Sequence, residues 1–249
     1  MRNTELEQLI NKQLSSDDFC DFVPNGLQVS GCEDIKTIIT GVTACQALID
    51  EAVNCHADAI IVHHGYFWKN ESSIIKGMKR QRLKTLLVNN INLYSWHLPL
   101  DAHPQLGNNV QLAKLLGINL QGEIVPLLYW GRFISPLTSE ELIGRITTKL
   151  DRIPLHFGEH APSLISYVAW STGRGQNFID EAANFGVDAF ITGEVSEKTI
   201  HSARENGLHF FSAGHHATER GGIKALSKWL EEKKIYGFNV KFVDIANPA

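Results

Sequence analysis

Cysteine is sparse in this chain, and its four copies, Cys20, Cys32, Cys45 and Cys55, never fall at a Cys-x-x-Cys spacing. That excludes a zinc knuckle and a paired redox motif, and leaves reduced core thiols as their reading. Long apolar runs are missing too, and the opening Met1-Arg2-Asn3-Thr4-Glu5-Leu6-Glu7 lacks the basic start and apolar core of a secretory signal. A soluble, cytoplasmic protein with no membrane partner is the expectation. Nor is there an excess of positive charge: 23 Lys and Arg stand against 27 Asp and Glu, for a net charge of -4. Without a global cationic field the chain is not suited to long nucleic acid. No low-complexity linker breaks it, so its parts are expected to pack rigidly.

What is present is an alternation of helical and strand patterns over 249 residues, enough for one large or two modest α/β domains. Thr4 to Glu7 fits a capping box ahead of Leu6, Leu9, Ile10 and Leu14 at helical spacing. Pro24-Asn25-Gly26 breaks that helix. Strand patterns follow at residues 35–42, 58–62 and 91–96, with helices predicted over 44–55 and 79–89. The plan then recurs. Gln46, Ile49, Asp50, Glu51, Ala52, Asn54, Asp58, Ala59 and Ile61 reappear as Gln176, Ile179, Asp180, Glu181, Ala182, Asn184, Asp188, Ala189 and Ile191, at a constant offset of 130. Nine identities in sixteen aligned positions favour duplication over chance. The second copy continues with a helix over 197–206 and a strand over 208–213. Between the copies lie a strand at 130–134 and a helix at 139–150. After them come a helix at 222–232 and a strand at 238–245. The expected architecture is α/β: two related, interlinked domains, with sheets flanked by helices and a metal site in the crevice between them. The divisions expected are 1–125, with the C-terminal segment packing back on it, an inserted strand-helix subdomain at 126–168, and 169–249.

Three short strings carry the chemistry. His63-His64 ends the apolar run Ala59-Ile60-Ile61-Val62, and His97-Leu98-Pro99-Leu100-Asp101 and His215-His216-Ala217-Thr218-Glu219 each place an imidazole four residues ahead of a carboxylate. Adjacent histidines in a continuing strand point to opposite faces, so both serve one centre only if the strand stops, and Gly65 supplies that break. Alone, the pair equally fits a strand end satisfying backbone groups. A helical turn would align His215 with Glu219, whereas Pro99 suggests a tight loop for the first string. Imidazole and carboxylate donors without thiolate favour Zn, Fe(II), Mn, Co or Ni in a catalytic rather than a structural site. His103 is a candidate hydrogen-bond partner for Asp101, and His216 a candidate acid or base. Ser171-Thr172-Gly173-Arg174-Gly175 reads either as a phosphate-binding turn or as a plain strand-to-helix turn. Lys76, Lys79, Arg80, Arg82 and Lys84 read as a solvated helix face, with nucleotide attraction as the alternative.

With these residues in view, the chain resembles the Ngg-interacting-factor-three-like family, especially its short bacterial YbgI-type members, which are labelled GTP cyclohydrolase 1 type 2 homologues. The likeness runs end to end. It rests on Pro24-Asn25-Gly26-Leu27-Gln28-Val29, Ile61-Val62-His63-His64-Gly65, His97 to Asp101 with Asn108-Asn109, and Gly214 to Arg220. The resemblance implies that His63, His64, Asp101, His215 and Glu219 bind two divalent cations, with Glu219 bridging. It places His97 at a motif position whose role as ligand or proton shuttle stays open. It also implies a ring-shaped homohexamer with metal sites facing an internal cavity. The long insertion of some relatives is absent, so no role tied to it transfers.

Three functions compete. The first is a metal-dependent hydrolase on a small nucleotide, in the cyclohydrolase version opening the guanine imidazole ring of GTP at C8 with loss of formate, while His97 or His216 moves protons. The second is hydrolysis of phosphoesters or damaged nucleotides by the same activated water. The third is a non-catalytic metal-binding scaffold or regulatory protein.

Overall fold

Ala59-Ile60-Ile61-Val62 has no polar side chain to offer solvent, so both faces of that strand need cover, as in the centre of a parallel sheet. The computed structural model describes residues 1–249 and places the run there. The chain opens with α1 (Asn3–Leu14), β1 (Gly26–Val29), β2 (Thr37–Thr43), α2 (Gln46–Asn54), β3 (Ala59–His64), α3 (Gly77–Val88), β4 (Asn92–Ser95) and α4 (Leu98–Ala102). It continues through α5 (Asn108–Leu116), β5 (Asn119–Val125), β6 (Leu128–Leu137), α6 (Ser139–Leu150), β7 (Leu155–Phe157) and β8 (Ile165–Ser171). It ends with α7 (Ile179–Phe185), β9 (Ala189–Thr192), α8 (Glu197–Glu205), β10 (His209–Ser212), α9 (His215–Glu232) and β11 (Asn239–Phe242). No helix is long and apolar enough to cross a membrane.

The chain forms two units. Residues 1–106 with 222–246 make one, and residues 107–221 with 247–249 the other. The first unit carries a five-stranded sheet ordered β1-β4-β3-β2-β11, parallel except for its edge strand β1. Alternation along β3 decides what each face meets. Ala59 and Ile61 lie in a cluster with Leu6, Ile10 and Leu14 of α1 and with Ile223, Leu226 and Leu230 of α9. Ile60 and Val62 pack instead with Leu48, Ile49 and Ala52 of α2 and with Leu83 and Leu86 of α3.

The second unit carries a six-stranded sheet ordered β5-β6-β8-β9-β10-β7, in which β8, β9 and β10 are parallel. One face packs Trp170, Ile191 and Phe211 with Leu142, Ile146 and Leu150 of α6. The other packs Ala169, Phe190 and Phe210 with Ile179 and Ala182 of α7. The strand and helix read from sequence as an inserted subdomain are continuous with this sheet, because β6 pairs with β8. They extend the duplicated core and do not stand apart from it.

The sequence repeat is also a repeat of hydrogen bonds. Asp58 Oδ2 accepts from the Lys36 and Thr37 amides at 2.9 and 2.8 Å, and Asp188 Oδ2 accepts from the Ser166 and Tyr167 amides, both at 2.8 Å. Each aspartate ties the start of one parallel strand to the start of the next. Thr138 and Glu141 form the reciprocal box that starts α6. At α1 the reciprocal glutamate is Glu5, which accepts from the Arg2 amide at 2.9 Å. Glu7 is diverted to the Leu27 amide of β1 at 2.8 Å, so the cap sits at Arg2 rather than at Thr4. Likewise α9 starts at His215, well ahead of the sequence expectation at 222.

Replacing either duplicated aspartate leaves two strand-start amides without their acceptor. Asp58→Ala and Asp188→Ala are each expected to cost about 1–3 kcal/mol, read as a lower urea midpoint at unchanged slope.

Candidate metal centre

Parallel β2, β3 and β4 end at one edge of the first sheet, where open α/β sheets usually present ligand-binding groups. His63 and His64 close β3, and His97 follows β4. Because β3 stops there, the two adjacent rings converge, with centroids 4.4 Å apart, and His97 lies 5.1 and 5.8 Å from them. A nitrogen from each of the three falls within 4.8 Å of the others.

Their orientation is set from behind. Buried His63 sits with Nδ1 3.1 Å from the Trp96 carbonyl, which can only accept, so the proton resides on Nδ1 and the Nε2 lone pair faces outward. That Nε2 lies 3.4 Å from Asp101 Oδ1. An imidazole lone pair and a carboxylate oxygen opposed at this distance call for a proton or a cation near them. His97 Nδ1 donates to Asp21 Oδ1 at 2.8 Å, and the same carboxylate accepts from the Leu98 amide at 2.8 Å while Asn25 Oδ1 takes the His97 amide. Burial pushes the Asp21 carboxyl up, but the His97 ring, the Leu98 amide and Asn25 outweigh it and hold it below the usual carboxylate range. His64 Nδ1 lies 3.3 Å from Thr43 Oγ1.

Asp101 arrives on a helical turn. Pro99 sits in the first turn of α4, where a missing amide hydrogen costs nothing, so the tight loop expected there is a short helix. The second unit supplies its own set. His215 and Glu219 share one edge of the first turn of α9, with Nε2 and Oε2 3.0 Å apart, while His215 Nδ1 donates to Glu194 Oε1 at 2.7 Å. Burial alone would lower the His215 pKa, but Glu219 and Glu194 raise it to about 9, so this place draws positive charge. His216 is buried, and the helix turns it about 100° from the edge shared by His215 and Glu219.

Two of these partners carried no role in the sequence reading. Asp21 precedes the Pro24-Asn25-Gly26 break without a marking pattern of its own. Glu194 had a signal, since the repeat offset of 130 makes it the counterpart of His64. Gly173 is a third. Its φ of +63° and the collision a Cβ would make with the Glu219 carboxylate require glycine there.

Other expectations change. His103 turns away from Asp101: Nε2 meets the Gln13 carbonyl at 3.0 Å and Nδ1 accepts from the Gln105 and Leu106 amides, so it ties its loop to α1. The turn 171–175 is no phosphate cradle, because Asn109 Oδ1, Thr218 Oγ1 and Thr192 Oγ1 already take the amides of Thr172, Gly173 and Gly175. Lys79 on α3 departs from the solvated face read from sequence, since its side chain is only 15% exposed and pairs with Glu71 at 3.1 Å.

A carboxyl held low in the folded state stabilises it above the unfolded pKa, and that contribution fades as pH falls through the folded value. Asp21→Asn should therefore lower the melting temperature at pH 7, and the gap to wild type should shrink below about pH 4, as followed by circular dichroism. Gly173→Ala should destabilise by about 1–3 kcal/mol in the same assay.

Comparison with known proteins gives this geometry a context. The chain is 65% identical over 249 residues to the protein called GTP cyclohydrolase 1 type 2 homolog of Escherichia coli strain K12, covering 100% of both. The solved structure of a protein named ybgI, of unknown function, superposes with a TM-score of 0.98 at 65% identity, with 100% of each chain covered. A protein from Thermus thermophilus superposes with a TM-score of 0.90 at 33% identity, again with 100% of each covered. Residues 1–248 match the family described as Duf34/NIF3 (NGG1p interacting factor 3), and the chain belongs to that family.

Proposed function

We propose that the protein is a metal-dependent hydrolase in which His63, His64, Asp101, His215 and Glu219 hold two divalent cations, and that it opens the imidazole ring of GTP or a related nucleotide. The observation that carries this reading is the shared orientation of His63, His97 and His215: each Nδ1 is engaged by a fixed oxygen acceptor. That arrangement turns Nε2 toward the candidate centre and is the usual backing of metal-bound histidine. The donor set has no thiolate and suits Zn, Fe, Mn, Co or Ni. When bound, such ions supply Lewis acidity and make a water acidic enough to act near neutral pH. The substrate is suggested by the name of the Escherichia coli relative, a GTP cyclohydrolase 1 type 2 homolog.

The chain's own groups have separable tasks in this proposal. Glu219 would help hold the cations, and Gly173 leaves room for its carboxylate. His97, oriented by Asp21 as a base is by its partner, moves protons at Nε2. His216 is the second proton-transfer candidate. Addition of water to C8 and hydrolysis of the resulting formamide would release formate and leave a diaminopyrimidine ribosyl triphosphate; its opened, rearranged sugar then condenses with the freed amine, with loss of one water, to give dihydroneopterin triphosphate. The working assembly in this proposal is a homohexameric ring, which light scattering tests directly.

Zinc-, manganese- or iron-loaded protein incubated with GTP should release formate and dihydroneopterin triphosphate in equal amounts, by coupled assay and chromatography. Glu219→Ala should bind less metal and lose at least about 100-fold in turnover. Absence of product with metals verified as bound rejects the reaction. If Glu219→Ala then loses metal and no panel nucleotide is consumed by wild type, the non-catalytic scaffold stands instead.

A further inference from the structure

His64 and His97 share an aromatic neighbour that the metal-binding reading does not use. Trp68 lies with its ring centroid 6.1 Å from His64 and 5.1 Å from His97, edge-on to the latter at 78°. It is half-buried, and its Nε1–H donates to the Gly65 carbonyl at 3.2 Å, which fixes the indole on the turn just past β3. Phe67 beside it is 37% exposed and has a φ of +66°, a left-handed conformation that a bulky residue adopts only when its surroundings impose it.

The surroundings do impose it. Glu71 Oε2 accepts from the Phe67 and Trp68 amides at 2.7 and 3.2 Å, and the Glu71 amide donates back to the Trp68 carbonyl at 2.7 Å. Lys79 binds the other Glu71 oxygen at 3.1 Å and stands 5.3 Å above the Phe67 ring. The Lys69 amide donates to the Phe22 carbonyl at 2.8 Å, joining this turn to the loop whose Asp21 orients His97. Strain of this kind concentrates at ligand clamps, where the rest of the structure sustains it. Here the outcome is one aromatic ring, that of Trp68, held in a fixed position beside the histidines.

We propose that Trp68, held by the strained Phe67 turn, forms a stacking platform that takes the flat ring of a heterocyclic ligand, such as a purine, next to His64 and His97. The chemistry of the cluster calls for one. The imidazoles there have their Nδ1 atoms committed and their Nε2 atoms turned to the candidate centre, so the grip on an uncharged ring has to come from elsewhere. An aromatic face provides it without reading individual ring substituents, because every base has a π-face. The inference rests on the proposed hydrolase reading for the ligand's class, but it concerns ring binding and not turnover.

The test measures GMP binding by equilibrium dialysis to the full chain, zinc-loaded with zinc content verified, alongside inorganic triphosphate as a ligand with no ring. Trp68→Ala should weaken GMP binding about 10-fold or more and leave triphosphate binding unchanged, while Trp68→Phe stays near wild type. Should Trp68→Ala lower the zinc content, Trp68→Phe against Trp68→Leu at matched zinc gives the same comparison. Equal GMP affinity in wild type and the non-aromatic variants overturns the platform, as does a wild type that binds no GMP. Trp68-dependent GMP binding without any GTP turnover sinks the ring-opening reaction and leaves the platform standing. Turnover with GMP binding indifferent to Trp68 does the reverse.

Discussion

Everything chemical at these strand ends depends on which nitrogen of each imidazole holds the proton. His63 gives its Nδ1 proton to a main-chain carbonyl, while His97 and His215 give theirs to Asp21 and Glu194. A ring fixed in this way can present only Nε2. Without the backing oxygens the same histidines would sample both tautomers and several rotamers, and a cation would have to order them at its own expense. The backing is itself anchored. Asp21 also accepts from the Leu98 amide, so the short helix that delivers Asp101 and the ring of His97 are set by one carboxylate.

The two units show how a duplicated scaffold keeps its supports and changes its edge. Asp58 and Asp188 perform the same task on the same pair of amides 130 residues apart. A strand-start anchor tolerates little change, since its loss exposes two donors at once. At the other end of the same strands the copies differ: His64 in one is Glu194 in the other. An imidazole in the first copy corresponds to a carboxylate in the second, and that carboxylate holds His215. The copies keep the anchor at the start of these strands and differ at their carboxyl ends.

Much of this was legible in the residues. The apolar run of β3, the repeat and the helix at 139–150 each act through local pattern, and each formed as expected. His215 and Glu219 were readable because four residues make one helical turn. What was not legible depends on partners distant in sequence. Asp21 is 76 positions from His97, and nothing near it indicates the pairing. Glu7 fits a cap by spacing yet serves Leu27 across a turn. The glycines of 171–175 look like an anion loop because the sequence cannot show that Asn109, Thr192 and Thr218 occupy its amides. Pro99 misled for a different reason: proline opposes the interior of a helix, not its first turn.

The first unit closes late on the ribosome. Its sheet needs β11 at one edge, and one of its cores needs Ile223, Leu226 and Leu230, all near the end of the chain. The second unit, apart from residues 247–249, is complete by Gly221. The usual amino-to-carboxyl order of domain maturation is therefore reversed. The nascent first sheet, with the β2 edge and the Ile38 and Ile61 side chains uncovered, stays incomplete until residues 222–246 have been made.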